Sequence, residues 1–320
     1  MNDQRKQSQR THITNPDTLN AIVRKAMGTD IERATRINKG QSNEVYLINM
    51  KNSSFVLRIA RGFDYDIFAV ERWAMQAVGR RGVPVVAILA QGSLADGDGA
   101  ISYQIQEKLI GEPMDSLLAQ GKVGRERSER LTERAGELLA AIHSVSPVGW
   151  GRIIQPDHGI YRSFEQWMLA LHEGTEQFDT ALAPFNALGV PRFEEVWQAL
   201  RYLQSFAVAK PVLLHYDLTP DHIFIDSDDR ITGIIDWGAV HSGDPIRDLV
   251  RWNYWDSYEF SIDWLASTYG RSLVSSKGFA ERMQLARIID ALLLLDSSTY
   301  KIPDAADARH AALVIRDCLK

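Results

Sequence analysis

The chain has 320 residues, of which 45% are hydrophobic and 24% are charged, and its formal net charge is −5. This length and balance predict a globular protein with a large core, and the acidic charge argues against a nucleic-acid partner. The single cysteine, Cys318, excludes an internal disulfide bond and favours a reducing, cytoplasmic location. No apolar run approaches the length of a membrane span and the first residues do not resemble a signal peptide, so we expect no membrane partner.

The first elements in the chain are a helix and a hairpin. Asn15 and Pro16 are start signals for a helix. Alternating patterns predict strands at residues 34–38 and 44–49, and the turn between them contains Gly40 and Ser42. Such a turn can offer backbone N–H groups to phosphates, but a single glycine in a hairpin is equally compatible with an ordinary turn.

Arg58 stands in a third predicted strand, at residues 55–60, with apolar neighbours on both sides. The predicted helix at residues 64–80 carries Glu71 on a turn that could face this strand. The alternatives are an Arg at a strand edge in solvent and a partly buried Arg that needs a partner. The apolar context favours the second, in which the guanidinium is available to bind phosphates.

An irregular segment at residues 107–113, containing Gly111 and Pro113, is the predicted boundary between two lobes. We expect a first lobe at 1–106, a hinge at 107–113 and a second lobe at 114–320. Ligand sites favour such boundaries. The backbones of Glu107 and Leu109 are the candidates for reading the edge of an adenine. After the hinge the pattern becomes mainly helical, interrupted by a predicted long loop at residues 149–161.

The most informative stretch runs through residues 212–248, VLLHYDLTPDHIFIDSDDRITGIIDWGAVHSGDPIRD. It predicts a loop, a strand, a tight turn and a second strand. Because a hairpin brings its two ends together, Asp217 and His222 should lie near Asp236. Two carboxylates and an imidazole can hold a divalent metal and place a base beside it. The alternative is a surface hairpin with unrelated acidic residues.

This stretch is similar to the protein-kinase pattern H-R-D-L-x-x-x-N followed by D-F-G. The corresponding pieces are HYDL at residues 215–218, His222 in place of Asn, and Asp236-Trp237-Gly238. Together with VLRIA, the Glu of ERW and GDPIRDL, they make the chain resemble the aminoglycoside phosphotransferase family from about residue 30 onward. The Arg58 context, the Gly-Trp-Gly loop and the last two helices look most like hygromycin B phosphotransferases, and HYDLTPDHIFID also looks like macrolide phosphotransferases.

The resemblance implies an α+β, protein-kinase-like fold with a small antiparallel-sheet lobe and a larger, mostly helical lobe. It implies that the lobe at 1–106 binds the nucleotide. It also implies transfer of the γ-phosphate of ATP or GTP, with Mg²⁺, to a hydroxyl of a small molecule. Asp217 is then the base that takes or orients the hydroxyl proton, Asp236 and His222 are the metal ligands, Arg58 neutralises the phosphates, and Glu71 orients Arg58. His215 and Asp248 are expected to support the catalytic loop.

Three residues depart from the family pattern. Tyr216 stands where Gly is common, Arg58 where many relatives have Lys, and His222 where Asn is common. A hard cation prefers oxygen ligands, so the alternative for His222 is a hydrogen bond within the site.

An acceptor pocket is expected between the 149–161 loop and the helices after Asp236. Aromatic and acidic side chains in these segments could hold a cationic aminoglycoside or aminocyclitol such as hygromycin B; the named candidates are Asp157, Trp252, Trp255, Asp256 and Glu259. The aromatics are equally compatible with helix core. Two other functions stay open, namely a metabolic or macrolide kinase of the same fold and a non-catalytic kinase-like binding module. We expect a monomer or a weak dimer.

Overall fold

The computed structural model describes residues 13–37, 43–51, 53–96, 99–121, 124–252, 260–270 and 276–320. The first part is an antiparallel sheet with two helices, and the later part is mainly helical. None of the helices in these described ranges has both the length and the apolar character needed to cross a bilayer.

The first region is built on a five-stranded sheet in the order β1-β2-β3-β5-β4. Its strands are β1 (Arg33–Ile37), β2 (Glu44–Met50), β3 (Ser53–Ala60), β4 (Ile88–Asp96) and β5 (Gly99–Glu107). The predicted hairpin of β1 and β2 is present, but its turn, with Gly40 and Ser42, lies outside the described residues.

Two helices pack on this sheet region. Helix α1 (Pro16–Met27) begins after Asn15, whose side chain accepts the N–H of Thr18, and it buries one apolar face. Helix α2 (Ile67–Gly79) begins after Asp66, which caps it in the same way. Glu71 lies on the buried face of α2, so this carboxylate has to find a partner inside the protein.

The later region contains nine α-helices within the described residues. They are α3 (Met114–Ala119), α4 (Arg125–Ile142), α5 (Phe164–Glu173), α6 (Thr175–Leu182), α7 (Phe193–Leu203), α8 (Ile246–Trp252), α9 (Ile262–Tyr269), α10 (Phe279–Asp296) and α11 (Ala305–Cys318). One hydrophobic cluster joins α2 to α4, α8 and α9, and a second joins α10 to α5, α6, α7 and α11. The division into lobes at residues 107–113 stays a prediction.

The loop predicted at residues 149–161 is a hairpin of β7 (Trp150–Gln155) and β8 (His158–Tyr161), so this prediction was wrong. Its glycines indicate a loop when only the sequence is considered. In the structure they allow the two strands to bring their backbones close together. A Cβ on Gly159 would lie 2.5 Å from the carbonyl oxygen of Trp150. The hairpin belongs to a four-stranded sheet, β8-β7-β12-β9, with β9 (Val212–Leu214) and β12 (His241–Gly243).

The central hairpin consists of β10 (Ile223–Ile225) and β11 (Ile231–Ile234), and β10 also pairs with β6 (Glu112–Pro113). At its open end the N–H of Ile235 donates to the carbonyl of His222 at 3.0 Å. The residues that precede β10 and follow β11 are therefore adjacent. As the sequence predicts, this pairing brings the loop at residues 215–222 next to Asp236.

Candidate active site

Asp248 anchors the loop that leads to Asp217. Its carboxylate accepts the backbone N–H of His215 at 2.9 Å and that of Tyr216 at 2.7 Å, and Nε2 of His143 lies 2.9 Å from the same side chain. Burial alone would raise the pKa of Asp248, but the hydrogen bond from His143, the nearby imidazoles and the loop N–H keep that pKa below its ordinary value. The charged Asp248 therefore fixes the start of the loop.

His215 supports the loop through hydrogen bonds of both ring nitrogens. It is fully buried, its Nε2 lies 3.0 Å from the carbonyl oxygen of Ile235, and its Nδ1 accepts the N–H of Asp217 at 3.3 Å. Because a carbonyl only accepts, Nε2 carries the proton. Burial lowers the pKa of His215, and the charge of His222 lowers it further, so the ring stays neutral. This position agrees with the supporting role that the resemblance implies for His215.

Asp217, His222 and Asp236 form a cluster in which one potential ligand atom from each lies within 4.8 Å of the others. Nδ1 of His222 lies 2.7 Å from the backbone carbonyl of Asp217, so Nδ1 donates. In the neutral ring, Nε2 then keeps its lone pair, and it lies 3.8 Å from Oδ2 of Asp236. Carboxylate oxygens are ligands that Mg²⁺ prefers, and an imidazole nitrogen can also bind a divalent cation, although Mg²⁺ favours it less. The three residues therefore fit a divalent cation.

The charge of His222 depends on its acidic neighbours. Burial opposes protonation of the ring, but the carboxylates of Asp221, Asp217 and Asp236 outweigh that effect and raise the pKa of His222. The pKa of Asp236 is shifted downward instead. Burial acts to raise it, but the charges of Arg58 and His222 outweigh burial and hold it below its ordinary value. The cluster is therefore an anionic site that attracts positive charge.

Asp236 occupies a constrained position directly after β11. Its φ is 62°, in the left-handed region, which Asp tolerates better than most residues because it is short and polar. Nη2 of Arg58 donates to Oδ1 of Asp236 at 3.2 Å. The sheet of the first region and the central hairpin thus meet at this carboxylate.

Arg58 also forms an ion pair with Glu71, and both side chains are buried. Burial would lower the pKa of Arg58, but the charges of Glu71 and Asp236 raise it instead, so the guanidinium is charged. Oε1 of Glu71 is buried without a hydrogen-bond partner among the residues that the structure describes. A Cβ on Gly238 would lie 3.0 Å from that oxygen, so the Asp-Trp-Gly segment packs directly against Glu71.

Other predicted site residues lie elsewhere. The N–H of Glu107 donates to the carbonyl of Ala87 at 3.0 Å, so this N–H is already used inside the protein. Leu109 packs its side chain against Gly233. Asp157 lies in the turn of the β7–β8 hairpin with a φ of 69°.

Trp252 is not brought to the cluster. Its side chain is buried in the core, and its indole N–H donates to the carbonyl of Phe260 at 2.7 Å. The helical phase of α8 turns it inward, and we leave it out of the acceptor site. Trp255, Asp256 and Glu259 lie outside the described residues.

Comparison with known proteins agrees with this geometry. The sequence model of the family described as "Phosphotransferase enzyme family" matches residues 33–272. The chain belongs to this family. The predicted family and the predicted kinase-like α+β fold are confirmed, and the protein is a kinase-like phosphotransferase.

Among solved structures, the phosphotransferase is similar to a thermostable mutant of aminoglycoside phosphotransferase APH(4)-Ia, in a ternary complex with ADP and hygromycin B. The TM-score is 0.73 at 15% identity, over 94% of this chain and 98% of that one. It is also similar to a protein from Haemophilus somnus 129PT provisionally named a fructosamine-3-kinase, with a TM-score of 0.64 at 16% identity, over 94% and 97% of the two chains. At such identities these likenesses show the fold alone.

One curated protein, the uncharacterized protein YcbJ of Bacillus subtilis (strain 168), is 29% identical over 128 residues. This match spans 38% of the chain and 37% of the length of YcbJ.

Sequence reasoning missed several residues that support this candidate site. Arg251 on α8 contacts the loop at residues 215–222, donating from Nε to the carbonyl of Tyr216 at 3.1 Å. The hydroxyl of Tyr216 donates to Asp290 of α10 at 2.9 Å and accepts from Arg247 at 2.8 Å. The available signal was a pair of arginines flanking DLV in RDLVR, and Asp290 inside the apolar run IIDALLLL of α10.

Proposed function

We propose that this phosphotransferase moves the γ-phosphate of ATP or GTP to a hydroxyl group of a small molecule. The observation that carries the proposal is the cluster of Asp217, His222 and Asp236, with Arg58 hydrogen-bonded to Asp236. A base, a potential metal site and a fixed cation are thereby held close together. These are the parts that phosphoryl transfer needs.

Each side chain has a role that follows from its surroundings. Asp217 is partly exposed, so an acceptor hydroxyl can reach its carboxylate, which takes or orients the hydroxyl proton. Arg58 neutralises charge on the phosphates, and Glu71 holds its guanidinium in place. Asp236 and His222 would hold Mg²⁺, which when bound neutralises the charge of the phosphate oxygens. The turn with Gly40 and Ser42 and the backbones of Glu107 and Leu109 are proposed to contact the nucleotide.

For the acceptor we propose an aminoglycoside or aminocyclitol such as hygromycin B, so that the reaction would modify an antibiotic in the cytoplasm and confer resistance. The support is the motif resemblance to hygromycin B phosphotransferases and the fold likeness to the enzyme that binds hygromycin B. Asp157, Asp256 and Glu259 would supply negative charge for a cationic acceptor and Trp255 an aromatic surface. The likeness to the protein provisionally named a fructosamine-3-kinase favours a second candidate, a kinase that acts on an amino sugar of metabolism.

The test is a nucleotide-consumption assay with Mg²⁺ and either ATP or GTP. The acceptors are hygromycin B, other aminoglycosides, a macrolide and a fructosamine, and Asp217→Asn is the matched variant. We expect one acceptor class to stimulate nucleotide consumption. Asp217→Asn should lower that rate by about 10²- to 10⁴-fold and leave nucleotide binding intact. Thermal stabilisation by nucleotide without turnover on any acceptor would favour the non-catalytic binding module, and full activity of Asp217→Asn would refute the assignment of the base.

A further inference from the structure

Arg251 on α8 contacts the catalytic loop at two adjacent residues. Its Nε donates to the carbonyl of Tyr216 at 3.1 Å, and its Nη2 lies 3.6 Å from Oδ1 of Asp217. The guanidinium also lies over the ring of Tyr216, with Cζ 5.1 Å from the ring centroid. Only 17% of the Arg251 side chain is exposed, so this geometry is set by packing.

The carboxylate of Asp217 is bracketed by two cationic or hydrogen-donating groups. Arg251 lies on the Oδ1 side, and Nδ1 of His222 lies 3.8 Å from Oδ2. The proton on that Nδ1 is directed to the backbone carbonyl of Asp217, at 2.7 Å. Arg251 is therefore the group whose charge is directed at the carboxylate itself.

Helix α8 binds the loop through two side chains one turn apart. Asp248 accepts the N–H groups of His215 and Tyr216, and Arg251 donates to the carbonyl of Tyr216. Residues three apart lie on the same face of a helix. One face of α8 therefore holds both backbone N–H groups of this segment and the carbonyl of Tyr216. The loop needs such support because Tyr216 has a φ of 66°, an unusual conformation for a residue with a side chain.

We propose that Arg251 is a positioning residue, which holds the carboxylate of Asp217 in the orientation that receives the acceptor hydroxyl. This inference rests on the proposed function of Asp217 as the base. An Arg suits the task because the planar guanidinium can direct one N–H to the carbonyl and another to the carboxylate. A Lys ammonium supplies the same charge from a single point and cannot fix both.

The test compares Arg251→Gln and Arg251→Lys with Arg127→Gln as a matched control. Arg127 is also partly buried and donates to an aspartate, Asp229, at 2.8 Å, but Asp229 lies in the turn at the opposite end of the central hairpin. With Mg-ATP and the acceptor of highest turnover, Arg251→Gln should lower kcat by about 10- to 100-fold, since a small misplacement of a reacting group has effects of this size. The KM for ATP should stay unchanged, Arg251→Lys should retain more activity than Arg251→Gln, and Arg127→Gln should retain wild-type kcat.

A double-mutant cycle separates positioning from a general structural role. If Arg251 acts through Asp217, adding Arg251→Gln to Asp217→Asn should not lower the residual rate further. Equal fold losses in the two backgrounds would overturn the proposal, as would an Arg251→Gln variant as active as Arg127→Gln. If Asp217→Asn itself keeps full activity, the proposed function fails instead.

The role of Arg251 can also be tested without turnover, in case none of the tested acceptors is phosphorylated. Crystal structures of the wild type and of Arg251→Gln, each with AMP-PNP and Mg²⁺, should differ in the side-chain rotamer of Asp217, while Asp248 keeps its two bonds to the loop. An Asp217 carboxylate in the same orientation in both structures would overturn the role of Arg251.

Discussion

The guanidinium of Arg58 on β3 is paired with the carboxylate of Glu71 on α2, and both are withdrawn from solvent. The pair joins the sheet to the helix that packs against the Asp-Trp-Gly segment. It also sets the direction in which Arg58 can reach Asp236, at 3.2 Å. The position of α2 and the position of the Arg58 guanidinium are therefore coupled.

Glu71→Gln should destabilise the protein and weaken nucleotide binding. The amide keeps the shape of the carboxylate but removes its charge, which deprives the buried guanidinium of an anionic partner. Loss of one partner of a buried pair costs about 3–5 kcal/mol, so we expect a fall of this order in the free energy of unfolding, measured by urea titration.

The control for this variant is Asp30→Asn. Asp30 pairs with Arg24 at the surface, and both side chains are about two-thirds exposed at 66% and 68%. An exposed pair contributes little, so the control should unfold near the wild-type urea concentration. Equal losses in the two variants would contradict the importance of the buried pair.

Asp236→Asn should raise the Mg²⁺ concentration needed for half-maximal activity, because it removes an anionic oxygen ligand. The backbone at this position has a φ of 62°, and Asn tolerates that conformation as Asp does, so the fold should be kept. The measurement is a Mg²⁺ titration of activity and of thermal stabilisation by ATP. Asp229→Asn is the control, because Asp229 has a φ of 60° in the turn of the same hairpin; equal Mg²⁺ curves for the two variants would count against Asp236 as a ligand.

Tyr216 supplies a further test, since its side chain connects the loop at residues 215–222 to α10. Tyr216→Phe removes a hydroxyl that donates to Asp290 and accepts from Arg247, inside a network where Asp290 is buried. We expect a loss of about 1–3 kcal/mol in the free energy of unfolding, the usual cost of leaving a buried polar group short of a partner.

Tyr216→Gly separates this bond from backbone strain. Glycine relieves the positive φ but loses the ring that packs on His241, at a centroid distance of 3.8 Å, and under Arg247. It should therefore be less stable than Tyr216→Phe in thermal melting. A Gly variant as stable as the wild type would mean that the side chain contributes nothing to holding the loop.

The parts of the site that the sequence predicts are those fixed by short-range geometry. The spacing of Asp217, His222 and Asp236 around one hairpin determines that they meet, whatever surrounds them. The ion pair of Arg58 with Glu71 is predictable because a charged residue on a buried strand needs a partner, and the next helix offers a carboxylate.

The supporting residues were not predictable in this way. Asp290 is 74 positions from Tyr216, and nothing local in α10 reveals which residue its carboxylate will meet. The β7–β8 hairpin was hidden for a related reason, because its strands depend on pairing with β12, which is formed by residues 241–243. The burial of Trp252 could not be predicted from the aromatic composition of its segment. Its position on the helix decides whether an aromatic side chain enters the core.

His222 gives the most specific prediction about metal preference. Its Nδ1 donates to the carbonyl of Asp217 at 2.7 Å, so the neutral ring offers Nε2 toward Asp236. Imidazole nitrogen suits later transition metals, whereas oxygen suits Mg²⁺. In His222→Asn the amide NH₂ can keep the bond to the carbonyl while the amide oxygen replaces Nε2 as a ligand.

We therefore expect His222→Asn to need less Mg²⁺ for half-maximal activity than the wild type and to lose relative activity with Co²⁺. His222→Ala should need more of either metal, because it removes the ligand without replacing it. The measurement is the ratio of half-saturating Co²⁺ to half-saturating Mg²⁺ in the three proteins, with ATP held at saturation. If His222 only braces the loop through its bond to Asp217, that ratio will be the same in the wild type and in His222→Asn, and the assignment of His222 as a metal ligand will have failed.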